Sequence, residues 1–114
     1  MNTAVQSQVL EADPALREIV RRIAEAYHPL QIYLFGSMAR GTAGPDSDYD
    51  LLVVVPDDAP AERRRGRLAY QALRGTGTAV DVVVCTRSYF DDRRHLKASL
   101  PGTVLREGRL LHAA

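Results

Sequence analysis

The fold of this chain is decided by one segment, Phe35-Gly36-Ser37-Met38-Ala39-Arg40-Gly41-Thr42-Ala43-Gly44-Pro45-Asp46-Ser47-Asp48-Tyr49-Asp50-Leu51-Leu52. A glycine–serine turn follows an apolar run, and two aspartates with one residue between them then open a second apolar run. Side chains at positions i and i+2 of a strand point to the same face of a sheet. Asp48 and Asp50 are therefore expected to project together.

Two carboxylates held that close repel each other unless a cation lies between them. Oxygen ligands together with substrate phosphates are what Mg²⁺ prefers. The turn at Gly36 and Ser37 supplies a matching phosphate element, because glycine lets the backbone approach an anion and N–H groups that open a helix can hold it. The segment therefore predicts a site for a metal-bound nucleotide.

A third carboxylate, Asp81, lies inside the valine-rich run Ala79-Val80-Asp81-Val82-Val83-Val84. Burying an ionised carboxylate without a partner costs on the order of several kcal/mol. Two interpretations remain open: a third ligand beside Asp48 and Asp50, or an aspartate on an edge strand or in a salt bridge. We favour the ligand, which requires the second and third strands to be neighbours.

The remaining pattern predicts helices that alternate with strands, which is typical of a sheet covered by helices. Asp13 and Pro14 read as the cap and first residue of a helix that ends near Tyr27, since apolar residues recur there at helical spacing. We predict strands at 31–35, 48–55, 79–86 and 109–112. We predict helices at 38–41, 61–74, 88–97 and 100–107, with loops at 42–47 and 56–60.

The composition describes one ordinary globular domain, 1–114, with a formal net charge of +1. No apolar run approaches the roughly 18 residues that a membrane span needs. The N-terminus shows no signal-peptide pattern, and the single cysteine, Cys85, forms no internal disulfide framework. We expect a cytoplasmic protein in which Cys85 is a buried small apolar residue.

Together, Gly36-Ser37, Asp48-Tyr49-Asp50 and the later Asp81 closely resemble the nucleotidyltransferase superfamily of DNA polymerase β. The chain's size, Ala39-Arg40-Gly41 and the closing Arg106-Glu107-Gly108-Arg109-Leu110-Leu111 resemble the minimal nucleotidyltransferases (MNT) of HEPN–MNT toxin–antitoxin pairs. The resemblance implies an α/β (α+β) polymerase β-like fold, a mixed β-sheet with helices packed on it.

The resemblance also implies roles for particular residues. Gly36 and Ser37 would hold ATP, Asp48 and Asp50 would ligate two Mg²⁺ ions, and Asp81 would ligate the catalytic ion and help deprotonate the acceptor. Such chemistry suits in-line phosphoryl transfer, which needs mainly positioning and charge neutralisation. Arg40 is a candidate phosphate donor or a solvated arginine, and Ser47 either orients the aspartates or is a plain turn residue. Tyr49 points to the opposite face and is expected in the core.

The acceptor is expected to come from a partner, because the catalytic elements occupy nearly the whole chain. By resemblance it is a tyrosine of a HEPN-type toxin, which the chain adenylylates as an antitoxin. Two alternatives stay open: an antitoxin that acts by binding alone, and a small-molecule adenylyltransferase of the aminoglycoside-modifying type. The arginines at 63–65 and 67 carry no interleaved aromatic residues, so we expect a solvated helix face and no direct nucleic-acid binding.

Overall fold

Helix α1 spans Pro14–Tyr27, as the sequence predicts. Asp13 caps it, because its Oδ1 atom accepts a hydrogen bond from the Leu16 N–H at 3.1 Å. His28 ends the helix in the left-handed conformation, with φ of 46°. The computed structural model describes residues 10–41 and 48–114; residues 1–9 and the whole predicted loop 42–47, Ser47 included, lie outside these residues.

A four-stranded mixed sheet forms the centre of the described structure, in the order β3-β2-β1-β4. The strands are β1 (Gln31–Phe35), β2 (Tyr49–Val55), β3 (Val80–Thr86) and β4 (Arg109–Ala113). β1 pairs antiparallel with β2 and with β4, whereas β2 and β3 run parallel. All four predicted strands are confirmed, and β2 is buried on both faces, as its Leu-Leu-Val-Val-Val run indicates.

Two layers of helices cover the two faces of the sheet. The first face carries the apolar side of α1 together with α2 (Gly36–Arg40) and α3 (Arg67–Ala72). The second face carries α4 (Arg87–Arg93) and α5 (Leu100–Glu107), whose Phe90 and Val104 pack on Leu52 and Val54. Alternation along β2 therefore sends Tyr49 into the first core and Asp50 to the second face.

The prediction of one helix over 61–74 is wrong. The chain forms a single 3₁₀ turn at Ala61–Arg64, continues through extended Arg65, and only then begins α3. The Tyr27 hydroxyl explains the break, because it donates to the Arg65 carbonyl and accepts from the Ala69 N–H at 2.8 Å. A buried phenol thus satisfies backbone groups that a continuous helix would pair internally.

Two other helices differ from their predicted bounds. The helix predicted over 88–97 is α4, which ends at Arg93, since the chain turns there and the Ser99 hydroxyl donates to the Arg93 and Leu96 carbonyls. The short helix predicted over 38–41 begins earlier, at Gly36. α5 matches its predicted bounds, and the backbone amide of Gly108 closes its end on the Val104 carbonyl.

Replacing Tyr27 with phenylalanine is expected to lower the free energy of unfolding by about 1–3 kcal/mol, because the change leaves two backbone groups without their hydroxyl partner. Urea unfolding of the two proteins measures this difference. Tyr89→Phe is the matched control, since Tyr89 is 45% exposed and the same hydroxyl is removed. Equal effects of the two changes would contradict the role given to the Tyr27 hydroxyl.

Candidate active site

The parallel pairing of β2 with β3 places Asp50 directly opposite Asp81. Partners opposite each other in a sheet point to the same face, so both carboxylates lie on the second face. The expectation that Asp81 lies beside the aspartates of the second strand is therefore confirmed. Asp48 precedes β2 by one residue and is exposed.

The argument that Asp81 is a buried carboxylate in need of partners is wrong, although Asp81 does lie opposite Asp50. β3 is the edge strand of the sheet, and the Asp81 side chain is exposed to solvent. The strand is valine-rich because its first face packs on the core, where Val80, Val82 and Val84 contact the cluster beneath α1. Asp81 is thus an edge-strand aspartate and, by register, also a neighbour of Asp50.

The electrostatics of the site centre on Asp50, the half-buried member of the three aspartates. Its pKa is raised above the ordinary value, first by burial and then by the negative charges of Asp81 and Asp48. Arg40 acts in the opposite direction and lowers the pKa of the same carboxyl. The site therefore has excess negative charge, which a bound cation would relieve.

Gly36 holds the turn against this carboxylate. Its φ of +74° lies in the left-handed region, and a Cβ atom there would lie 2.3 Å from the Asp50 Oδ2 atom. Only glycine fits such a position without strain or collision. Ser37 follows in the first turn of α2 and is half-buried, so the glycine–serine turn and the aspartates form one continuous surface.

The donor set suits Mg²⁺, since it consists of carboxylate oxygens that repel one another. Within residues 10–41 and 48–114, no three His, Cys, Asp or Glu side chains are already grouped so that they could hold a metal ion together. Asp48 and Asp81 are exposed, so their side chains have room to rotate. Asp48, Asp50 and Asp81 are the residues that would hold the ions.

Tyr49 lies between the aspartates in sequence and points into the first core, as expected. Its hydroxyl donates to Asp13 Oδ2 at 2.5 Å, so the residue that caps α1 also anchors the start of β2. Burial and this bond raise the pKa of Tyr49 to about 12. Sequence reasoning assigned Asp13 only a capping role; nothing in the spacing signals its link to Tyr49.

Other candidate residues are placed as follows. Arg40 is exposed on α2, and its effect on Asp50 puts its charge near the site. Cys85 is half-buried rather than fully buried, and burial raises the pKa of its thiol to about 11. Arg64, Arg65 and Arg67 are exposed, consistent with a solvated surface. Among the described helices, none has both the length and the apolar composition to cross a membrane.

A family model described as a nucleotidyltransferase domain matches residues 15–110, which is most of the chain. The chain belongs to the nucleotidyltransferase domain family. The match spans every element that positions the three aspartates and the glycine–serine turn. A comparison with curated proteins finds no match.

Solved structures agree with this assignment. The present chain is 25% identical to one chain of a toxin–antitoxin crystallised with AMP-PNP. The two superpose with a TM-score of 0.61, and the match covers 86% of the present chain and 73% of the other. The present chain is 28% identical to a putative nucleotidyltransferase from Sulfolobus solfataricus, with a TM-score of 0.51 and coverage of 81% of both chains. The same fold occurs in a mutant MntA–HpeT toxin–antitoxin. The sequence identity is 22%, the TM-score is 0.59, and the match covers 86% of the present chain and 73% of the other.

Proposed function

We propose that the chain is the antitoxin of a toxin–antitoxin pair and transfers AMP from ATP to a tyrosine of a HEPN-type toxin. The observation that carries the proposal is the β2–β3 register, which brings Asp81 opposite Asp50, the carboxylate against which the turn at Gly36 lies. Its similarity to a toxin–antitoxin chain crystallised with AMP-PNP, an ATP analogue, supports the nucleotide and the kind of partner.

Each residue has a definite task in this reaction. Gly36 and Ser37 bind the triphosphate, and the Arg40 guanidinium donates to its phosphate oxygens. Asp48, Asp50 and Asp81 would hold two Mg²⁺ ions, which would supply charge neutralisation at the transferred phosphoryl group. Asp81 is exposed at the sheet edge, so it can also accept the proton of an incoming phenol.

The proposal is tested by co-purifying the chain with the product of its neighbouring gene, which we expect to be a HEPN-type protein. After incubation with ATP and Mg²⁺, intact mass spectrometry is expected to show whole AMP units added to the partner. Changing the acceptor tyrosine of the partner to phenylalanine should stop the gain without dissolving the complex, because docking involves a much wider surface than one hydroxyl.

Three further results distinguish AMP transfer to the toxin from the two alternative functions. The Asp50→Asn complex should show no mass gain. A wild-type complex that inhibits the toxin with no mass gain would identify an antitoxin that acts by binding alone. AMP transfer to an aminoglycoside or similar small molecule, with no partner bound, would identify a small-molecule adenylyltransferase.

A further inference from the structure

A cavity of about 400 Å³ opens on the second face of the sheet, between β3 and the first turns of α4 and α5. Its floor includes Leu52, Val83 and Cys85, and Tyr89 and Pro101 lie in its wall. The volume lies in the lower part of the range of small-ligand pockets, roughly 300–1,000 Å³. The cavity therefore has the size and the apolar lining for one flat organic ring system.

The β2–β3 register connects this cavity to the aspartates. Asp50 pairs with Asp81, and two residues further along the same strands Leu52 pairs with Val83. Side chains two residues apart lie on the same face of a strand, roughly 7 Å from each other along it. The carboxylates and the cavity floor therefore share one face of the sheet and lie in line along two neighbouring strands.

The second face of these strands extends from the carboxylates in one direction only. β2 begins at Tyr49 and β3 at Val80, each one residue before its aspartate. In the other direction Val83 is 42% exposed, so the strip of sheet that leads from Asp81 to the cavity is open to solvent. A molecule that is anchored at the carboxylates and lies along this face therefore reaches the cavity.

The polar groups at the cavity favour a neutral ring. Arg64 is the only charged side chain among the described lining residues, and the Thr86 hydroxyl already accepts the Tyr89 N–H at 3.2 Å. The Arg93 guanidinium lies 3.9 Å from the centroid of the Tyr89 ring and holds this ring in place. Aromatic and apolar side chains bind a nucleobase through its ring faces, and an arginine beside them donates to its nitrogen or oxygen acceptors.

We propose that this cavity holds the adenine ring of ATP while the turn at Gly36 holds the triphosphate. The inference deepens the proposed function and rests on it, because it places the same nucleotide at the same aspartates. Gly36 lies against Asp50 from the end of β1, and the cavity lies two residues further along β2 and β3. A nucleotide that is anchored at both ends therefore passes directly over the carboxylates.

The first test measures binding to the chain alone by calorimetric titration in the presence of Mg²⁺. ATP is compared with tripolyphosphate, which has three linked phosphates but no adenosine. Val83→Gln puts a longer polar side chain into the cavity and is expected to weaken ATP binding about tenfold, while tripolyphosphate binding stays unchanged.

Leu105→Gln is the matched control, because Leu105 is an apolar residue that is 38% exposed and lies outside the described lining of the cavity. It should bind both compounds like the wild type. Equal ATP affinity of the two variants would overturn the inference. So would an equal loss of ATP and tripolyphosphate binding in Val83→Gln, since the change would then act on the phosphate site.

A second pair of variants tests the aromatic wall of the cavity. Tyr89→Phe keeps the ring and should bind ATP like the wild type, whereas Tyr89→Leu removes the ring and should weaken ATP binding but not tripolyphosphate binding. Urea unfolding checks that both variants fold, as expected for a side chain that is 45% exposed. Equal ATP affinity of these two variants would overturn the assignment of the adenine ring to this cavity.

Transfer to the HEPN-type partner separates this inference from the proposed function. Full ATP affinity with slower AMP transfer by Val83→Gln would assign the cavity to a segment of the partner, which overturns the inference and leaves the proposed function in place. ATP binding that depends on the cavity, with no AMP on the partner, would support the inference and overturn the proposed acceptor. Binding of neither ATP nor tripolyphosphate would overturn both.

Discussion

Replacing Asp50 with asparagine is expected to slow AMP transfer by roughly 10³-fold or more, as for removal of a central electrostatic group from an active site. Asp50 is the carboxylate on which the charges of both Asp81 and Asp48 act, and the turn at Gly36 lies directly against it. An amide keeps the shape of the side chain but removes one negative charge from the site. The loss is therefore expected in cation and nucleotide binding rather than in folding.

The same change is expected to leave stability at neutral pH equal to or above that of the wild type. The folded-state pKa of Asp50 lies above its ordinary value of 3.8, so folding favours the protonated carboxyl. Below 3.8 the carboxyl is protonated in both folded and unfolded chains, and the penalty is absent. As pH rises through the folded-state pKa, the wild type loses this part of its stability, whereas the asparagine variant keeps it.

Urea unfolding at neutral pH and at a pH below 3.8, combined with transfer assays, measures both effects. Asp58→Asn is the matched control, since Asp58 is an exposed aspartate in the loop after β2. It should change neither transfer nor stability. Near-wild-type transfer by Asp50→Asn would contradict the assignment of the site, and a large loss of stability at neutral pH would contradict the charge argument.

The catalytic segment was predictable because local chemistry determines it. A capping aspartate followed by proline, Asp13-Pro14, marks the start of α1. The Leu-Leu-Val-Val-Val run predicts a strand buried on both faces. Spacing alone places Asp48 and Asp50 near each other. The position of Asp81 beside Asp50 was predicted only on the condition that the second and third strands are neighbours, which the β2–β3 pairing fulfils.

Other features depend on contacts between residues far apart in sequence. Tyr27 breaks the helix predicted over 61–74 through bonds to residues about 40 positions later, and no local pattern signals this. The exposure of Asp81 follows from the position of β3 at the sheet edge, which strand order decides.

Gly36→Ala is expected to reduce the affinity for ATP·Mg²⁺ about tenfold or more, which corresponds to 1.4 kcal/mol or more of binding free energy. The alanine Cβ would lie 2.3 Å from Asp50 Oδ2, so the carboxylate has to move away from the turn. The left-handed backbone adds about 1–3 kcal/mol of strain in the folded protein. Calorimetric titration with ATP and Mg²⁺ measures the first effect, and urea unfolding measures the second.

Gly41→Ala separates the collision from the backbone strain. Gly41 has the same φ of +74°, but a Cβ there meets no atom of residues 10–41 or 48–114 within 4 Å. Both variants should lose similar stability from strain, and only Gly36→Ala should lose ATP affinity as well. If the two variants bind ATP equally, the contact between Gly36 and Asp50 does not position the nucleotide site. If Gly36→Ala alone is weakened, the glycine is required because it lets the turn lie directly against the Asp50 carboxylate.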